Sequence, residues 1–413
     1  MKSGETVVVG GGIIGAMCAW YLSQSGHRVT IIDRDRFGAA CSKSNCGYIS
    51  PSHVLPLTAP GVIWKSLKSM ASSNSPFYIR PTLNLSMWSW LLKFAGRCNE
   101  RDMLEAAGVL HSLLQSSRQL YEELIEGERL DCEWQKVGLL FVYQHEHEFA
   151  EYAHTNELTK SRFGVSASPI EAKKLVEFEP ALREGLGGAW HFDCDAHVRP
   201  DRLMQALRER LTSRGVTLIE NAEMTGFVRE GERVKAVQTK SGEITGDQFV
   251  VATGALTPFL NKHLGIKIPI QPGKGYSLTM PRPSICPKYP LIFEEHRVAI
   301  TPMNSGYRIG STMEFSGYDD SINERRLKLL TDSAKIYLRE PSAEPIQEKW
   351  FGWRPMTWDS KPYIDRVPNL SNTWLAAGHN TLGAVTGKLI AELLNGQTPH
   401  LDIRGVSLSR LRA

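Results

Sequence analysis

The sequence lacks the features of a secreted, metal-binding or membrane-spanning protein. Its seven cysteines are odd in number and include no C-x-x-C pair, which argues against a disulfide framework and a zinc site. The stretch HEHEF, residues 145–149, has the wrong spacing for a helical i, i+4 metal pair and predicts a solvated turn. We therefore expect reduced thiols, a cytoplasmic location and no bound metal. No apolar run approaches the ~20 residues of a bilayer span, and no signal peptide precedes the first predicted strand.

Strong charge of either sign is also missing. The formal net charge is +4, and basic residues occur only in short pairs, so no nucleic-acid partner is expected. The 413 residues are 42% hydrophobic and 22% charged, a composition that suits a soluble globular protein of two or three domains. We find no internal repeat and no low-complexity stretch.

The N-terminal stretch TVVVGGGIIGAMCAWYLSQSGHRVTIID, residues 6–33, predicts a dinucleotide-binding βαβ unit. It opens with a β-branched run typical of a buried strand. Gly10, Gly12 and Gly15 then fit the pattern G-x-G-x-x-G, in which they permit the tight turn, the approach of a pyrophosphate and the packing of helix on strand. A strand before the glycines and a helix after them make the motif specific.

The helix after the glycines begins near Ile13 and Ile14 and directs its first N–H groups at the phosphates. Asp33 lies 18 residues beyond the last glycine, at the end of the second predicted strand, and Arg34 follows it. The carboxylate of Asp33 can accept ribose hydroxyls and would repel a 2′-phosphate. The site therefore binds the ADP half of NAD or FAD.

The next segment, residues 36–61, is loop-like rather than a further regular βα unit, as an NAD enzyme would usually have. Its Ser42, Ser44, Asn45 and Gly47 offer groups that can follow a long polyol and pyrophosphate. A plain surface loop explains this composition equally well.

Two later segments favour FAD over NAD. The predicted strand in residues 247–260 ends at Thr253 and Gly254, and resembles the strand end that closes over the nucleotide in flavoproteins. Residues 372–396 predict a strand, a glycine turn and a second helix whose first N–H groups stabilise negative charge on a reduced flavin. The predicted cofactor-binding residues of this turn are Gly378, Asn380, Thr381, Leu382 and Gly383.

The chain resembles the FAD-dependent D-amino-acid dehydrogenases of bacteria, within the wider glycine oxidase and D-amino-acid oxidase superfamily. The segments that carry the resemblance are VVVGGGIIGAMCAWYLSQSGHRVTIIDR, CSKSNCGYISPSHVLPLTAPGV, GWRPMTWDSKPYIDRVP and GHNTLGAVTGKLIAELL. It implies non-covalent FAD, oxidation of an amine carbon, and a quinone or carrier protein as the electron acceptor. The chain departs from the family at Cys41, where threonine is common, at His53, and in residues 291–302, which lack the tyrosine of glycine oxidases.

The predicted fold class is α/β with an α+β substrate domain: a discontinuous Rossmann-like FAD-binding domain and a substrate domain built on an antiparallel sheet. The FAD-binding domain is predicted to comprise residues 1–60, 195–262 and 352–413, and the substrate domain residues 61–194 and 263–351.

Arg354 is the strongest candidate for contact with a substrate. Its planar guanidinium can bind a carboxylate in bidentate fashion, and the resemblance assigns this role to the matching arginine of the glycine oxidases. The alternative is a structural salt bridge with Asp359.

Three further residues are candidate catalytic residues, each with a structural alternative. His379, before the flavin-facing helix, could touch the flavin or help to take an amine proton, or could be a satisfied structural histidine. His53 could line the pocket or lie in solvent. Tyr276 could face the pocket from the sheet or pack in the core.

These observations predict oxidative deamination of a D-amino acid to a 2-oxo acid and ammonia. The alternatives are oxidation of a secondary amine, such as proline, 4-hydroxy-D-proline or sarcosine, and a non-catalytic FAD-bearing subunit. The apolar stretch at residues 83–96 could lie on the cytoplasmic face of a membrane, but a helix packed in the substrate domain is favoured.

Overall fold

The structure is a computed structural model that describes residues 4–63, 77–379 and 382–411. The strands are β1 (Glu5–Val9), β2 (Arg28–Ile32), β3 (Tyr48–Ile49), β4 (Phe77–Ile79), β5 (Leu139–Tyr143), β6 (Ser168–Glu171), β7 (Gly188–Phe192), β8 (Ala196–His197), β9 (Thr217–Ile219), β10 (Met224–Glu230), β11 (Arg233–Thr239), β12 (Gly242–Thr245), β13 (Gln248–Val251), β14 (Ile270–Met280), β15 (Leu291–Phe293), β16 (Val298–Met303), β17 (Gly306–Phe315), β18 (Glu348–Thr357), β19 (Tyr363–Arg366) and β20 (Thr373–Ala377). The α-helices are α1 (Ile13–Gln24), α2 (Leu85–Gly96), α3 (Glu100–Gly127), α4 (Glu146–Phe163), α5 (Ala172–Phe178), α6 (Pro200–Ser213), α7 (Asn261–Leu264), α8 (Glu324–Tyr337) and α9 (Gly383–Leu394).

A six-stranded sheet in the order β19-β20-β13-β1-β2-β9 forms the first layer. Its strands are parallel except for β19, which runs antiparallel to β20. Helices α1, α3 and α9 share one apolar cluster with the sheet, and a second cluster lies between the sheet and β11. Strands buried on both faces explain why β1 and β13 are continuous apolar runs rather than alternating ones.

A nine-stranded sheet in the order β18-β14-β17-β16-β15-β5-β7-β6, with β4 added beside β17, forms the second layer. Neighbouring strands are antiparallel, except that β5 pairs with β15 and β4 pairs with β17 in parallel. Helix α8 covers one face of this sheet with Leu327, Leu330 and Tyr337. The short ladder of β3 with β8 connects the segment after the first nucleotide-binding unit to the residues before α6.

These elements bear on two predictions, and they correct the second. The predicted domain boundary at residue 352 falls inside β18, which pairs with β14 of the large sheet along its whole length. The HEHEF stretch is not a solvated turn, because Glu146 begins α4 and two glutamates in its first turn favour the positive end of the helix dipole. In the part of the chain that the structure describes, no helix is both long and apolar enough to cross a membrane.

Candidate FAD and substrate site

The ends of four parallel strands meet at one edge of the six-stranded sheet. Gly10 follows β1, Asp33 follows β2, Thr253 lies just beyond β13, and Gly378 follows β20. Because these strands are neighbours and parallel, their carboxyl ends share one edge, which is where open α/β sheets bind nucleotides. Distant parts of the sequence thereby contribute to one site.

The glycines of the first turn are required by close backbone contacts. Gly10 has φ +111°, and a Cβ there would lie 2.4 Å from the carbonyl oxygen of Ala252. A Cβ on Gly15 would lie 1.8 Å from the carbonyl oxygen of Gly10, so the helix could not approach the strand. The turn therefore keeps its shape only with glycine at both positions.

Asp33 is oriented by two backbone N–H groups. Gly11 donates to Oδ2 at 2.6 Å and Asp35 donates to Oδ1 at 2.8 Å. Burial raises the pKa of Asp33, and these two hydrogen bonds oppose the rise. The carboxylate is therefore fixed beside the glycine turn, as recognition of a ribose requires. Arg34 is exposed and pairs with Asp35 at 3.1 Å.

The loop after Asp33 is fixed by protein contacts. Ser42 Oγ accepts a hydrogen bond from the N–H of Ile13 at 2.9 Å, which places this hydroxyl at the N-terminus of α1. Ser44 donates to Glu348 at 2.6 Å, and the amide of Asn45 closes the loop onto Cys41 and Gly47. The side chains of Ser44 and Asn45 thus have structural partners, whereas Ser42 stands at the predicted phosphate site.

The second glycine turn packs directly against the first. Gly378 has φ +83°. The Cβ position of Gly383 lies 3.0 Å from Ile13 Cγ1 and 2.4 Å from Tyr121 Oη, so a side chain would collide with both. Leu382 is buried at the N-terminus of α9. The N-termini of α1 and α9 therefore lie together, while the predicted contacts Asn380 and Thr381 lie outside the described residues.

His379 is a buried polar side chain whose hydrogen bonds are not made by the described protein. It is 5% exposed, and neither Nδ1 nor Nε2 has a partner among residues 4–63, 77–379 and 382–411. Burial, with a smaller contribution from Arg410, lowers the pKa of His379 to about 3, so the ring is neutral. Buried polar groups are normally paired, so the ring fits a bound polar group at this edge.

Arg354 has no carboxylate partner in the described chain. It lies on β18, and its Nη1 donates to the carbonyl oxygen of Thr312 at 2.7 Å. Asp359, the alternative partner that the sequence offered, pairs instead with Arg410 at 2.9 Å. Burial lowers the pKa of Arg354, yet a guanidinium keeps its charge. A partly desolvated cation without an anionic partner in the described chain is suited to bind an anionic ligand.

Gly275 and a bulge in β17 make room for this guanidinium. A Cβ on Gly275 would lie 2.6 Å from Arg354 Nη1 and 2.8 Å from its Cζ. On the neighbouring strand, Ser311 and Thr312 have φ of +103° and +56°, and the pairing with β14 shifts register there. The bulge turns the Thr312 carbonyl toward Arg354, and its cost in backbone strain is typical of a functional position.

Tyr276 points away from the side of the sheet that carries the Arg354 guanidinium. Gly273 pairs with Arg354 and Tyr276 pairs with Phe351, so Arg354 and Tyr276 point to opposite faces of the sheet. Tyr276 donates to Glu314 at 3.0 Å in the buried layer under α8.

The Cys41 thiol connects the loop after Asp33 to β18, the strand that carries Arg354. Cys41 Sγ donates to the carbonyl oxygen of Trp353 at 2.9 Å, and burial raises the pKa of Cys41 to about 11. The departure from the family's threonine therefore keeps a hydrogen-bond donor at this position, and the thiol stays protonated.

His53 lies at another part of the same sheet face. Its ring packs edge-on against Phe141, with ring centroids 5.6 Å apart. Cross-strand pairing places Phe141 on the same face of the sheet as Arg354. The connecting pairs are Phe141–Ile292, Ile292–Ala299, Ala299–Gly310 and Gly310–Ser277, and Ser277 shares its face with Arg354 in the register of β14 with β18. His53 stays exposed, although the surrounding protein lowers its pKa to about 4 through burial and the nearby Arg297. Phe141 lies on β5 and Arg354 on β18, five strands apart in the sheet order, so His53 and Arg354 are at separate parts of this face.

Sequence reasoning missed Ser52, Asp195, Gly275 and Thr312. Ser52 and Asp195 are joined by hydrogen bonds across 143 positions of the chain, which no local pattern encodes. Gly275 lies inside β14, where a glycine can mark a close approach of another group, and this signal could have identified it.

The chain matches the DAO family, described as FAD dependent oxidoreductase, over residues 5–395. The D-amino acid dehydrogenase of Chromohalobacter salexigens is 32% identical over 423 residues, which cover 99% of this chain and 100% of the relative. The enzyme of the same name from Granulibacter bethesdensis is 29% identical over 420 residues, covering 98% of this chain and 99% of the relative. Glycine oxidase from Geobacillus kaustophilus has the same fold, with a TM-score of 0.80 at 21% identity and 98% of each chain covered. L-Proline dehydrogenase from P. horikoshii gives a TM-score of 0.74 at 21% identity, with 99% of this chain and 97% of that chain covered. The strand-end nucleotide site and these likenesses agree, and the chain belongs to the DAO family of FAD-dependent oxidoreductases.

Proposed function

We propose that this FAD-dependent oxidoreductase oxidises D-amino acids to 2-oxo acids and ammonia. The observation that carries the proposal is Arg354, a partly buried guanidinium with no carboxylate partner in the described chain. The naming of its relatives as D-amino acid dehydrogenases supports a D-amino acid as the substrate. FAD held at the Gly10 turn and Asp33 would supply a hydride acceptor for the substrate carbon, and water would then release ammonia from the oxidised substrate.

The protein's own contribution is binding and orientation. Arg354 offers two N–H groups to the substrate carboxylate while a third contact, to the Thr312 carbonyl, fixes the plane of the guanidinium. Because the carboxylate is held, the α-carbon has a defined position relative to the bound cofactor. The reaction step then avoids the entropic cost of bringing the two groups together. His379, neutral and buried, offers hydrogen bonds to the cofactor rather than a charge.

The test is an anaerobic spectral titration of the FAD-loaded protein. D-Alanine and D-phenylalanine should bleach the flavin absorbance, whereas their L-enantiomers and the matching decarboxylated amines should not. Bleaching by sarcosine or 4-hydroxy-D-proline alone would replace the proposal with oxidation of a secondary amine. A flavin that no amine bleaches would indicate a non-catalytic subunit.

We further propose that helix α2 docks the protein on a membrane surface, where electrons pass to a quinone. Its outer face is apolar and exposed: Leu85 is 83% and Leu92 72% exposed. Its inner face, with Trp90, packs on Met356 and Trp358 of the segment that carries Arg354. A helix with one apolar face open to solvent is suited to lie in a bilayer interface.

Sedimentation with phospholipid vesicles tests this second proposal. The wild-type protein should sediment with vesicles that contain anionic lipid. The double variant Leu85→Glu, Leu92→Glu should stay in the supernatant, yet it should reduce an artificial dye at the wild-type rate. The exposed Ile285→Glu change is the control. Equal sedimentation of all three proteins would contradict the proposal.

A further inference from the structure

Three consecutive carbonyl oxygens in the loop after Asp33, those of residues 44–46, accept hydrogen bonds from the large sheet. The donors, in the same order, are Ser277 Oγ at 2.7 Å, Arg308 Nη1 at 2.8 Å and Thr301 Oγ1 at 2.7 Å. These donors lie on β14, β17 and β16, which are neighbours in the sheet. One short segment of the loop is therefore held across three strands.

All three donors are on the face of the sheet that carries Arg354. Ser277 shares that face with Arg354 in the register of β14 with β18. Ser277 pairs with Gly310, two residues beyond Arg308, and Arg308 pairs with Thr301. Paired residues, and alternate residues along a strand, place their side chains on one face. The loop therefore lies over the face on which the substrate is expected.

Arg308 has few other partners for its charge. Its side chain is 1% exposed, its Nε donates to Thr279 Oγ1 at 3.0 Å, and the Asp201 carboxylate lies 3.8 Å from Nη2. Ser277 and Thr301 are equally buried. Because buried polar groups are costly unless they are paired, the loop carbonyls are required partners of all three side chains.

The bound carbonyls determine where the neighbouring N–H groups point. In a trans peptide the N–H points opposite to the carbonyl of the preceding residue, and the peptide bonds of this segment are trans. The N–H groups of Asn45 and Cys46 therefore point away from the sheet. No described residue accepts a hydrogen bond from either group, whereas the N–H of Gly47 donates to Asn45 Oδ1 at 2.8 Å.

This segment of the loop starts at the predicted phosphate site. Ser42 Oγ accepts a hydrogen bond from the N–H of Ile13 at the N-terminus of α1, at 2.9 Å. Four residues later, Cys46 Sγ lies 2.9 Å from the position of a Cβ on Gly310. The loop thus runs from the N-terminus of α1 onto β17.

The same segment ends beside the guanidinium of Arg354. Gly310 pairs with Ser277, and Gly275, two residues earlier on β14, lies under that guanidinium. Two residues of a strand span about 7 Å, so Cys46 and the guanidinium are neighbours on this face. A cofactor with its phosphates at α1 and its ring beside a substrate on Arg354 must follow this loop.

We propose that Ser277, Thr301 and Arg308 are positioning residues that direct the N–H groups of Asn45 and Cys46 at the ring of the bound flavin. They also turn the three carbonyl oxygens away from a ring that gains negative charge on reduction. Two N–H donors aimed at the ring stabilise its reduced form more than its oxidised form. The inference rests on FAD binding and not on the substrate, so it goes beyond the proposed oxidation of D-amino acids.

The test is the midpoint potential of the bound flavin, measured anaerobically against indicator dyes. Ser277→Ala and Thr301→Val each remove one donor and no charge. At a fixed potential, each should lower the ratio of reduced to oxidised flavin about threefold, and the double variant about tenfold, which is about 30 mV for a two-electron couple. Thr159→Val on α4 is the matched control, because it removes an equally buried hydroxyl that donates to the carbonyl of Asn156 at 3.0 Å. It should keep the wild-type potential.

Arg308 offers a rescue experiment. Arg308→Met should lower the potential at least as far as the double variant, and Arg308→Lys, which keeps a charged donor, should recover part of the loss. The affinity for ADP, which needs only the Gly10 turn and Asp33, should stay at the wild-type value in every variant. Equal losses of ADP and FAD affinity at an unchanged potential would show that the loop supports only the nucleotide half, and the proposal would be wrong.

Selective ¹⁵N labelling of the seven cysteines observes the N–H of Cys46 directly. The signal that is missing from Cys46→Ser should move when dithionite reduces the flavin, and it should move more than that of Cys286, which packs in the cluster under α8. A Cys46 signal that stays in place would overturn the proposal. So would wild-type potentials in Ser277→Ala and Thr301→Val, even with a lower Tm, because the contacts would then only stabilise the fold. None of these measurements uses an amine, so they stand whether or not the protein oxidises D-amino acids.

Discussion

Arg410 Nε lies 2.9 Å from Asp359 Oδ2, and this ion pair removes the carboxylate that the sequence offered to Arg354. Both partners are largely buried, at 12% and 6% side-chain exposure. Arg410 also donates to the Lys361 carbonyl at 2.7 Å and stacks over the ring of Tyr363 at 3.9 Å. The C-terminal end of the described chain thus holds Asp359 away from the site, and Arg354 is left for a ligand.

Replacing Arg354 should impair substrate binding far more than cofactor binding. We expect Arg354→Met to raise KM for a D-amino acid by about 10²-fold or more, because a charge-assisted pair contributes about 1.5–3 kcal/mol and its loss leaves a buried carboxylate unpaired. Arg354→Lys should recover part of this, since it restores the charge but not the bidentate fork. Steady-state kinetics and the FAD content after gel filtration measure both effects. An unchanged KM would contradict the carboxylate role.

The Gly275→Ala change should raise KM for the same reason as Arg354→Met, but by a smaller factor. The new Cβ would lie 2.6 Å from Arg354 Nη1 and force the guanidinium to move, so Gly275→Ala should raise KM with little change in FAD binding. Gly108→Ala on α3 is the control, because a Cβ there meets nothing within 4 Å. Kinetics that match for the two variants would mean that the guanidinium is not held where the substrate binds.

Asp33 should contribute to cofactor affinity alone. Asp33→Asn keeps the shape but weakens hydrogen bonds to ribose hydroxyls by about 1.5–3 kcal/mol, so the Kd for FAD should rise by roughly 10- to 100-fold. Fluorescence quenching of the free flavin on binding measures the Kd. Turnover of the enzyme saturated with FAD should stay near the wild-type value. A Kd equal to that of wild type would show that the ribose is bound elsewhere.

Breaking the Asp359–Arg410 pair should destabilise the fold. Arg410→Met leaves a buried carboxylate without its partner, and such a loss typically costs about 3–5 kcal/mol. Thermal unfolding with excess FAD should show a clearly lower Tm for Arg410→Met and for Asp359→Asn. In the double variant the loss should be smaller than the sum, because neither partner then remains alone. Strict additivity would show that the pair does not act as a unit.

Local sequence patterns predict the cofactor half of the molecule well. Gly15 packs on Gly10, and Asp33 accepts hydrogen bonds from Gly11 and Asp35, so local spacing suffices to predict the turn and the strand end. The substrate half depends on pairings between distant strands. The opposite directions of Arg354 and Tyr276 follow from the register of β14 with β18. That register is set by the whole sheet and is not visible in either segment alone.

The raised pKa of Asp195 has a consequence for stability that needs no substrate. The pKa of Asp195 rises from 3.8 to about 7 because of burial, so between these values the folded protein holds a proton that the unfolded chain has released. Stability from this group therefore falls as pH rises from about 4 to 7 and stays low above that range.

We expect Asp195→Asn to remove this dependence. Relative to wild type, the variant should gain stability between pH 5 and pH 8, by up to a few kcal/mol at about 1.4 kcal/mol for each unit of pKa difference. Thermal unfolding with excess FAD at both pH values measures the change, and Asp193→Asn, on the exposed neighbour, should track the wild-type protein. If the Tm difference between Asp195→Asn and wild type were the same at pH 5 and pH 8, Asp195 would be ionised throughout. It could not then store a proton near neutral pH.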